Sequence, residues 1–496
     1  MRKHNFFVKF LIKINLSTNI LLKKYLNKLN TINFSNITRS NKIIKIFVAL
    51  IILFLSYVAI PNIYDEAEIK NELKDQLENR LGLNFNLSNN FEYSFFPRPN
   101  FTFQNTTILA DQNTVSTIKK LKIYVSLNNL FSLKNIKIYD LILINSNFDL
   151  NRENYNFFIK LLDQNFEDII LRVQDSNIFY KNKNNEVLFI NKIIKMKYYY
   201  DINESKNFIS SENEIFNLPY SLELKKNKDK NKISSKLNLN FLKLKIENEI
   251  DYKDNTKKGF AILTERHNKN NITYEFDKDY LIFNFFDKAN NQNFFLKGKF
   301  NFKPFFSIIQ GNTKDINITS LFNPNSSLLQ LIKTKIFYNK NINFDLNIHA
   351  DKIDNYHNFT NFLLNSKITE GLIDFDNTKF SWKNDADFKI SESLLYIKEG
   401  ELILDGQIDL DIKNSDTVYK FLQTPKAYRS EIKDIVLKFN YNFDQKILNL
   451  NGIKIDNELN IIVNKSINSL VFKNSRLQNI IYLKNKLNSA IKAYAG

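Results

Sequence analysis

From about residue 85 to residue 473 one pattern recurs: apolar residues at every second position, broken by short turns rich in Asn, Lys and Asp. Leu121, Ile123, Val125 and Leu127 alternate with Lys122, Tyr124 and Ser126, and Ile342, Phe344, Leu346 and Ile348 alternate with Asn343, Asp345 and Asn347. Ile408, Leu410 and Ile412 alternate with Asp409 and Asp411, and Ile435, Leu437, Phe439, Tyr441 and Phe443 do the same. Successive side chains of a strand point to opposite faces, so each such segment has one apolar and one wet face. The expected fold is mainly β, a long and largely antiparallel sheet. Within residues 237–250 the alternation changes phase between Phe241 and Leu242, which predicts a bulge or kinked strand. Helical patches are expected near 155–162, 359–364 and 418–422. Residues 477–491 place Leu477, Ile480, Ile481, Leu487 and Ile491 on one amphipathic stripe that would cap a sheet edge. An ordinary pair of closed β sandwiches is the plainer alternative.

Ahead of the sheet, residues 46–60 read IFVALIILFLSYVAI without a charge, and Ile43 and Ile44 extend the run past Lys45. A core helix of that length would show a polar face, and a cleavable signal would start nearer the N-terminus and end in a small-x-small site. The run therefore predicts an uncleaved membrane span, short but long enough if Lys45 snorkels its ammonium to the interface. Residues 1–45 hold ten Lys or Arg and no Asp or Glu, whereas Asp65, Glu66 and Glu68 follow the span. The positive-inside rule then puts the N-terminal side in the cytoplasm. Residues 5–29 would suit an interfacial helix. Beyond the span, Ile69, Leu73, Leu77 and Leu81 form one helical stripe that stops at Gly82.

Composition removes several function classes. Nine glycines, none in a phosphate-loop pattern, argue against nucleotide binding, and the absence of cysteine excludes thiol chemistry and disulfides. The +18 net charge falls to about +8 outside the basic N-terminal segment and is dispersed, so it does not mark a nucleic-acid surface. His4, His267, His349 and His357 form no ligand spacing, and no GxSxG elbow is present. No catalytic residue, metal or cofactor is expected.

The order of segments carries a resemblance. A basic stub and one span are followed by Leu81-Gly82-Leu83-Asn84-Phe85, then Tyr93-Ser94-Phe95-Phe96-Pro97-Arg98-Pro99-Asn100-Phe101-Thr102-Phe103. Thr107-Ile108-Leu109, the stretch 118–133 and Ile136 through Leu150 come next, with Asn145 or Ser146 where the family pattern has proline. This resembles the N-terminal region of AsmA-family proteins of Gram-negative bacteria, and residues 399–455 resemble their C-terminal part. The resemblance implies an inner-membrane protein with a periplasmic domain, a role in outer-membrane biogenesis, and phospholipid as the partner. The organisation expected is a basic cytoplasmic segment (1–42), an anchor (43–61), an amphipathic helix (62–84), a β-rich periplasmic domain (85–473) and a C-terminal amphipathic helix (474–496). Leu121, Ile123, Val125, Leu127, Ile342, Phe344, Leu346, Ile348, Ile408, Leu410, Ile412, Leu437 and Phe439 are the candidate lining of an apolar groove. Roughly 25 strands at ~4.8 Å each would extend on the order of 120 Å. An anchored scaffold that binds envelope proteins through a filled core is the alternative function.

Overall fold

The structure, a computed structural model, describes residues 42–495 except 111–112, 129, 131, 133, 135, 152, 164–168, 183, 228–230, 254–255, 278, 288–293, 303–304, 357, 459–462, 464–469 and 472–475. The expected interfacial stretch, His4 and His357 lie outside the described residues. Helix α1 (Lys42–Ala59) ends in a single turn over Ile60–Asn62 that contains Pro61. Its 18 residues are about 27 Å long, close to the hydrocarbon thickness of a bilayer. Ile46 through Leu55 are all exposed, the large side chains at 42–66 %, as lipid-facing residues would be.

Helix α2 (Glu66–Leu81) has clear ends. The Asp65 carboxylate accepts from the Ala67 and Glu68 amides at 2.8 and 3.2 Å, Glu66 and Glu68 sit at the positive end of the helix dipole, and Gly82 adopts φ 63°. Ile69, Leu73, Leu77 and Leu81 are all buried against the first strands, giving roughly 6–12 kcal/mol as an upper bound for four such side chains.

Among the described residues twenty-five strands then form one sheet in chain order, most of them antiparallel neighbours. β1 (Asn84–Asn86) and β2 (Phe91–Ser94) both pair with β3 (Asn100–Ala110), followed by β4 (Asn113–Val125) and β5 (Ile138–Leu150). Helix α3 (Tyr155–Asp163) carries the chain back so that β6 (Ile170–Lys181) runs parallel to β5. An antiparallel meander continues through β7 (Val187–Asp201), β8 (Lys206–Ile215), β9 (Leu218–Asn227), β10 (Lys232–Leu239), β11 (Leu244–Asp251), β12 (Lys257–Glu265), β13 (Asn268–Phe276), β14 (Tyr280–Asp287), β15 (Phe294–Phe302) and β16 (Phe305–Ile316). A second return through α4 (Ile318–Leu321) and α5 (Ser327–Lys333) makes β17 (Asn343–Ile353) parallel to β16. β18 (Phe359–Thr369) follows, and β19 (Leu372–Asp374) and β20 (Lys379–Trp382) share the next place. The sheet closes with β21 (Ala386–Lys398), β22 (Glu401–Ile412), α6 (Ser415–Leu422), β23 (Asp434–Asn442), β24 (Ile447–Ile455), the two-residue β25 (Leu470–Val471) and α7 (Arg476–Ala495). Because two places hold two short strands each, the contour is about 110 Å, somewhat less than a count of strands suggests.

The sheet creases where Asn105, Asn145 and Asp175 stand at one level of β3, β5 and β6 with φ near +50°. Asn and Asp tolerate that left-handed conformation better than other side chains. Two sequence expectations are corrected. The phase change at Phe241–Leu242 is a one-turn 3-10 helix (Asn240–Leu242) inside a hairpin, not a bulge within one strand. Residues 359–364 are strand β18: Phe362 and Leu364 turn one way onto the core while Asn361 bulges, a spacing that imitates a helical stripe.

Two stability outcomes follow from α2. Leu77→Ala lowers unfolding free energy by about 2–5 kcal/mol because the side chain is fully enclosed, and Asp65→Ala by about 1 kcal/mol through loss of the cap. Denaturant titration of the detergent-solubilised protein measures both; a Leu77→Ala loss no larger than that of Asp65→Ala would refute the packing described.

Candidate functional site: an apolar trough on the inner face

Register turns the alternation of single strands into continuous rows. One row runs Phe101, Ile123, Leu141, Leu171, Tyr198, Ile209, Leu224 from β3 to β9. It passes through Ser235, Asn248, Ala261, Ile272, Phe285 and Leu296 and reaches Gly311, Ile348 and Leu364 on β18. The same face therefore points inward over the whole length, while cross-strand ion pairs such as Lys195–Glu212 and Lys258–Glu275 occupy the other.

The inner face is filled at three places. Near the membrane, α2 and α3 cover β3–β8: Phe101, Phe103, Leu121, Ile123 and Leu141 are completely enclosed, with Phe157 and Leu161 of α3 packed against them. Tyr198 Oη donates to Leu161 O at 3.1 Å and Asn207 Nδ2 to Leu162 O at 3.0 Å, which fastens α3 across the sheet. The second return segment covers β16–β18 with Leu329 and Ile332. Helices α6 and α7 cover the last strands with Tyr419, Leu422 and Ile491.

Between the first two fillings no described residue covers the face. Ile233, Leu237, Ile246, Ile250, Leu263, Ile272, Phe283 and Phe285 are each only half-buried and belong to none of the three cores. The sheet curls around this stretch: Phe305 at the start of β16 meets Tyr180 and Phe189 at the ends of β6 and β7, with ring centroids 5.7 and 6.1 Å apart. Asn339 and Asn341 Nδ2 both donate to Leu188 O, at 3.1 and 3.3 Å, along the same seam. Ser327 Oγ donates to Leu242 O at 3.0 Å and Arg266 Nη2 to Asn325 O at 3.1 Å, tying the return segment to the hairpin turns on one rim. The result is a trough with apolar walls, roofed at each end and open between.

Glycines set the width of the trough. A Cβ on Gly259 would lie 2.1 Å from the Tyr274 ring, on Gly298 2.2 Å from Phe283, and on Gly311 2.4 Å from Leu296. The large side chains lie flat over these bare positions instead of standing into the lumen. Tyr274 reaches across Gly259 so that its hydroxyl meets Asn248 Oδ1, and Asn248 Nδ2 donates to Ser235 Oγ at 3.3 Å. Burial raises the Tyr274 pKa, so the phenol stays protonated as a donor. Beneath α3 a cavity of about 330 Å³ is lined almost wholly by apolar groups, among them Leu143, Phe158, Val173, Met196 and Ile209. A second, of about 590 Å³, lies between the second return segment and β18–β23, beside Phe322, Phe362, Phe380 and Tyr441.

The thirteen groove candidates distribute unevenly. Leu121, Ile123 and Val125 point inward but are sealed under α2. Leu127 lies beyond the end of β4, is 43 % exposed, and belongs to the membrane-proximal end; the strand stops at Val125, before the alternation does. Ile342 immediately precedes β17 and is half-buried; Phe344 and Leu346 are half-buried and Ile348 is buried in the second core. Ile408, Leu410 and Leu437 are half-buried and Ile412 and Phe439 buried; of these Leu410, Ile412 and Leu437 join the C-terminal filling. The walls of the open stretch were missed. Inward positions there include Ser235, Asn248 and Gly259, and the apolar run of β14, Tyr280–Asp287, hides its period. His267 and His349 are exposed, and among the described residues no three metal-ligating side chains cluster.

Comparison with curated proteins finds no match. Residues 38–175, from the start of the span through β3, β4, β5 and the first part of β6, match the model of the AsmA family. The anchor, α2 and the creased opening strands lie inside that match, so the N-terminal region of the chain is similar to the AsmA family.

Proposed function

We propose that this protein is a membrane-anchored conduit that holds phospholipid acyl chains in the trough of β9–β15. The observation that carries this reading is the contrast in burial along one continuous face: enclosed under α2, half-exposed from Ile233 to Phe285, enclosed again under the second return segment. Leaving that many apolar side chains wet is costly, and acyl chains would remove them from water at about 0.8 kcal/mol per buried CH₂. Such binding needs no catalytic residue and little specificity, because the walls offer area instead of directed polar groups. The match of residues 38–175 to the AsmA family and the size of the sheet support an envelope role. Lipid handling in outer-membrane biogenesis is the finer part of the proposal, as is placement in the inner membrane with the sheet in the periplasm.

Topology is tested with reporter fusions. A reporter active only in the periplasm gives signal when joined after residue 175 and none when joined before residue 40; the reverse pattern overturns the placement.

Lipid contact is tested by photo-crosslinking in cells. A crosslinker at Leu263 or Ile246 yields phospholipid adducts, whereas one at Thr264, which points outward from the same strand as Leu263, does not. Adducts at none of them, with the protein folded by circular dichroism, would favour an anchored scaffold that binds other envelope proteins.

The lumen width is tested at Gly298. Gly298→Leu drives side-chain carbon into the Phe283 ring, costs about 1–3 kcal/mol, and lowers co-purified phospholipid without unfolding the sheet. Unchanged lipid content in a folded variant would mean that the occupant does not pass Phe283.

A further inference from the structure

The membrane-facing end carries a second apolar feature, separate from the trough and outside the α2-covered core. Phe96 is 78 % exposed, Phe95 49 % and Leu127 43 %, an unusual concentration for side chains of this size on two adjoining loops. Both loops are fixed to the end of α1. Tyr57 Oη donates to Leu127 O at 2.6 Å and accepts from the Leu130 amide at 3.2 Å. Tyr93 Oη donates to Val58 O at 2.9 Å, and burial pushes its pKa up to about 12. Tyr64 Oη donates to Leu130 O at 3.0 Å. Tyrosines gathered at the end of a span match the interfacial aromatic belt.

These loops and α1 enclose a cavity of about 580 Å³. Phe54 and Val58 of the span form one wall, Phe95, Phe96 and Leu127 others, and Arg80, Arg98 and Lys137 supply the charge. Among the described residues no carboxylate lines it. Arg98 lies 4.6 Å over the Tyr124 ring and 3.5 Å from Asp140, but Asp140 is also held by Arg172 at 3.0 Å, so one carboxylate faces two guanidiniums. From Phe54 to Val58 the wall covers about 6 Å of helix axis, comparable with one headgroup layer of roughly 5–7 Å. The cavity thus joins apolar walls at acyl depth to cations at phosphate depth, and the span holds it there.

We propose that this vestibule docks the headgroup of a phospholipid still resident in the leaflet where α1 ends, with Phe95, Phe96 and Leu127 dipping among the acyl chains and Arg80, Arg98 and Lys137 facing the phosphate. The proposal rests on α1 spanning the membrane and gives the conduit a defined point of lipid contact at its membrane end. Its occupant is a membrane phospholipid, because the cavity wall includes the span itself.

The test uses the full chain in vesicles of phosphatidylglycerol and phosphatidylcholine in equal parts. The sole tryptophan, Trp382, is first replaced by Phe, and a reporter is placed by Phe96→Trp or, as a control on the outer face of β12, by Phe260→Trp. Brominated phospholipid quenches emission from position 96 and leaves position 260 unaffected. Equal quenching at both positions, or none at 96, overturns the proposal. A photo-crosslinker at Leu127 then reports the headgroup: phosphatidylglycerol adducts dominate, and Lys137→Gln reduces them about fivefold, as expected for one cation at an anionic surface. Lys137 has an exposed side chain, so this change leaves folding intact. Adducts indifferent to Lys137→Gln would reduce the vestibule to a greasy contact and overturn headgroup docking. The trough reading fails separately, through absent adducts at Leu263, whatever happens at position 96.

Discussion

Everything in this protein hangs on an unbroken ladder of backbone hydrogen bonds that keeps one face of the sheet inward from β3 to β24. A slip of one residue between any two neighbours would send the apolar set of every later strand outward. The register is held by hairpins, by the crease through Asn105, Asn145 and Asp175, and by further bulges at Asn361 and Glu392 that bend the sheet without changing its inner face. Curvature and continuity meet at these positions: across the crease the inward set passes from Phe101 and Phe103 to Ile108, and from Leu171 and Val173 to Ile178, so the local alternation changes phase while the same face of the sheet stays apolar.

An inward apolar face must be covered, and the chain supplies cover in three blocks. Helix α2 lies on the first strands, the second return segment on β16–β18, and α6 with α7 on the last. The two parallel connections matter here. A hairpin turn stays at the rim, whereas a return from β5 to a parallel β6, or from β16 to a parallel β17, must cross the mouth of the curled sheet. Crossing brings α3 and α5 over the inner face, so the same topological step that reverses the meander also builds a roof. The eleven strands from β6 to β16 have no internal return, and the stretch within them keeps no cover of its own.

The two candidate lipid contacts divide the chemistry. The vestibule beside α1 combines cations with apolar walls at the depth of a membrane surface, whereas the trough offers area and a few mutually satisfied polar groups, Ser235, Asn248 and Tyr274. Charge where a headgroup enters and neutrality where chains travel is a sensible order for a passage, since a fixed charge in the trough would arrest what it binds.

Some of this was legible in residues alone. The uncharged run at 46–60 required a long apolar helix, the spacing of Ile69, Leu73, Leu77 and Leu81 required a helix with one buried stripe, and the period of two required sheet, because each depends only on near neighbours along the chain. The family likeness rested on the order of those same segments. What the pattern could not tell was which inward residues are covered. Leu121 and Leu263 both sit on apolar faces of strands, yet one lies sealed beneath α2 and the other lines an open trough, and the difference is made by helices distant in sequence. Nor does any local signal say that Phe305 meets Phe189, or that Gly259 is bare because Tyr274 crosses it. Alternation assigns a face to each side chain, but only the curl of the whole sheet and the path of its two returns decide whether that face is filled with protein or left free for something else.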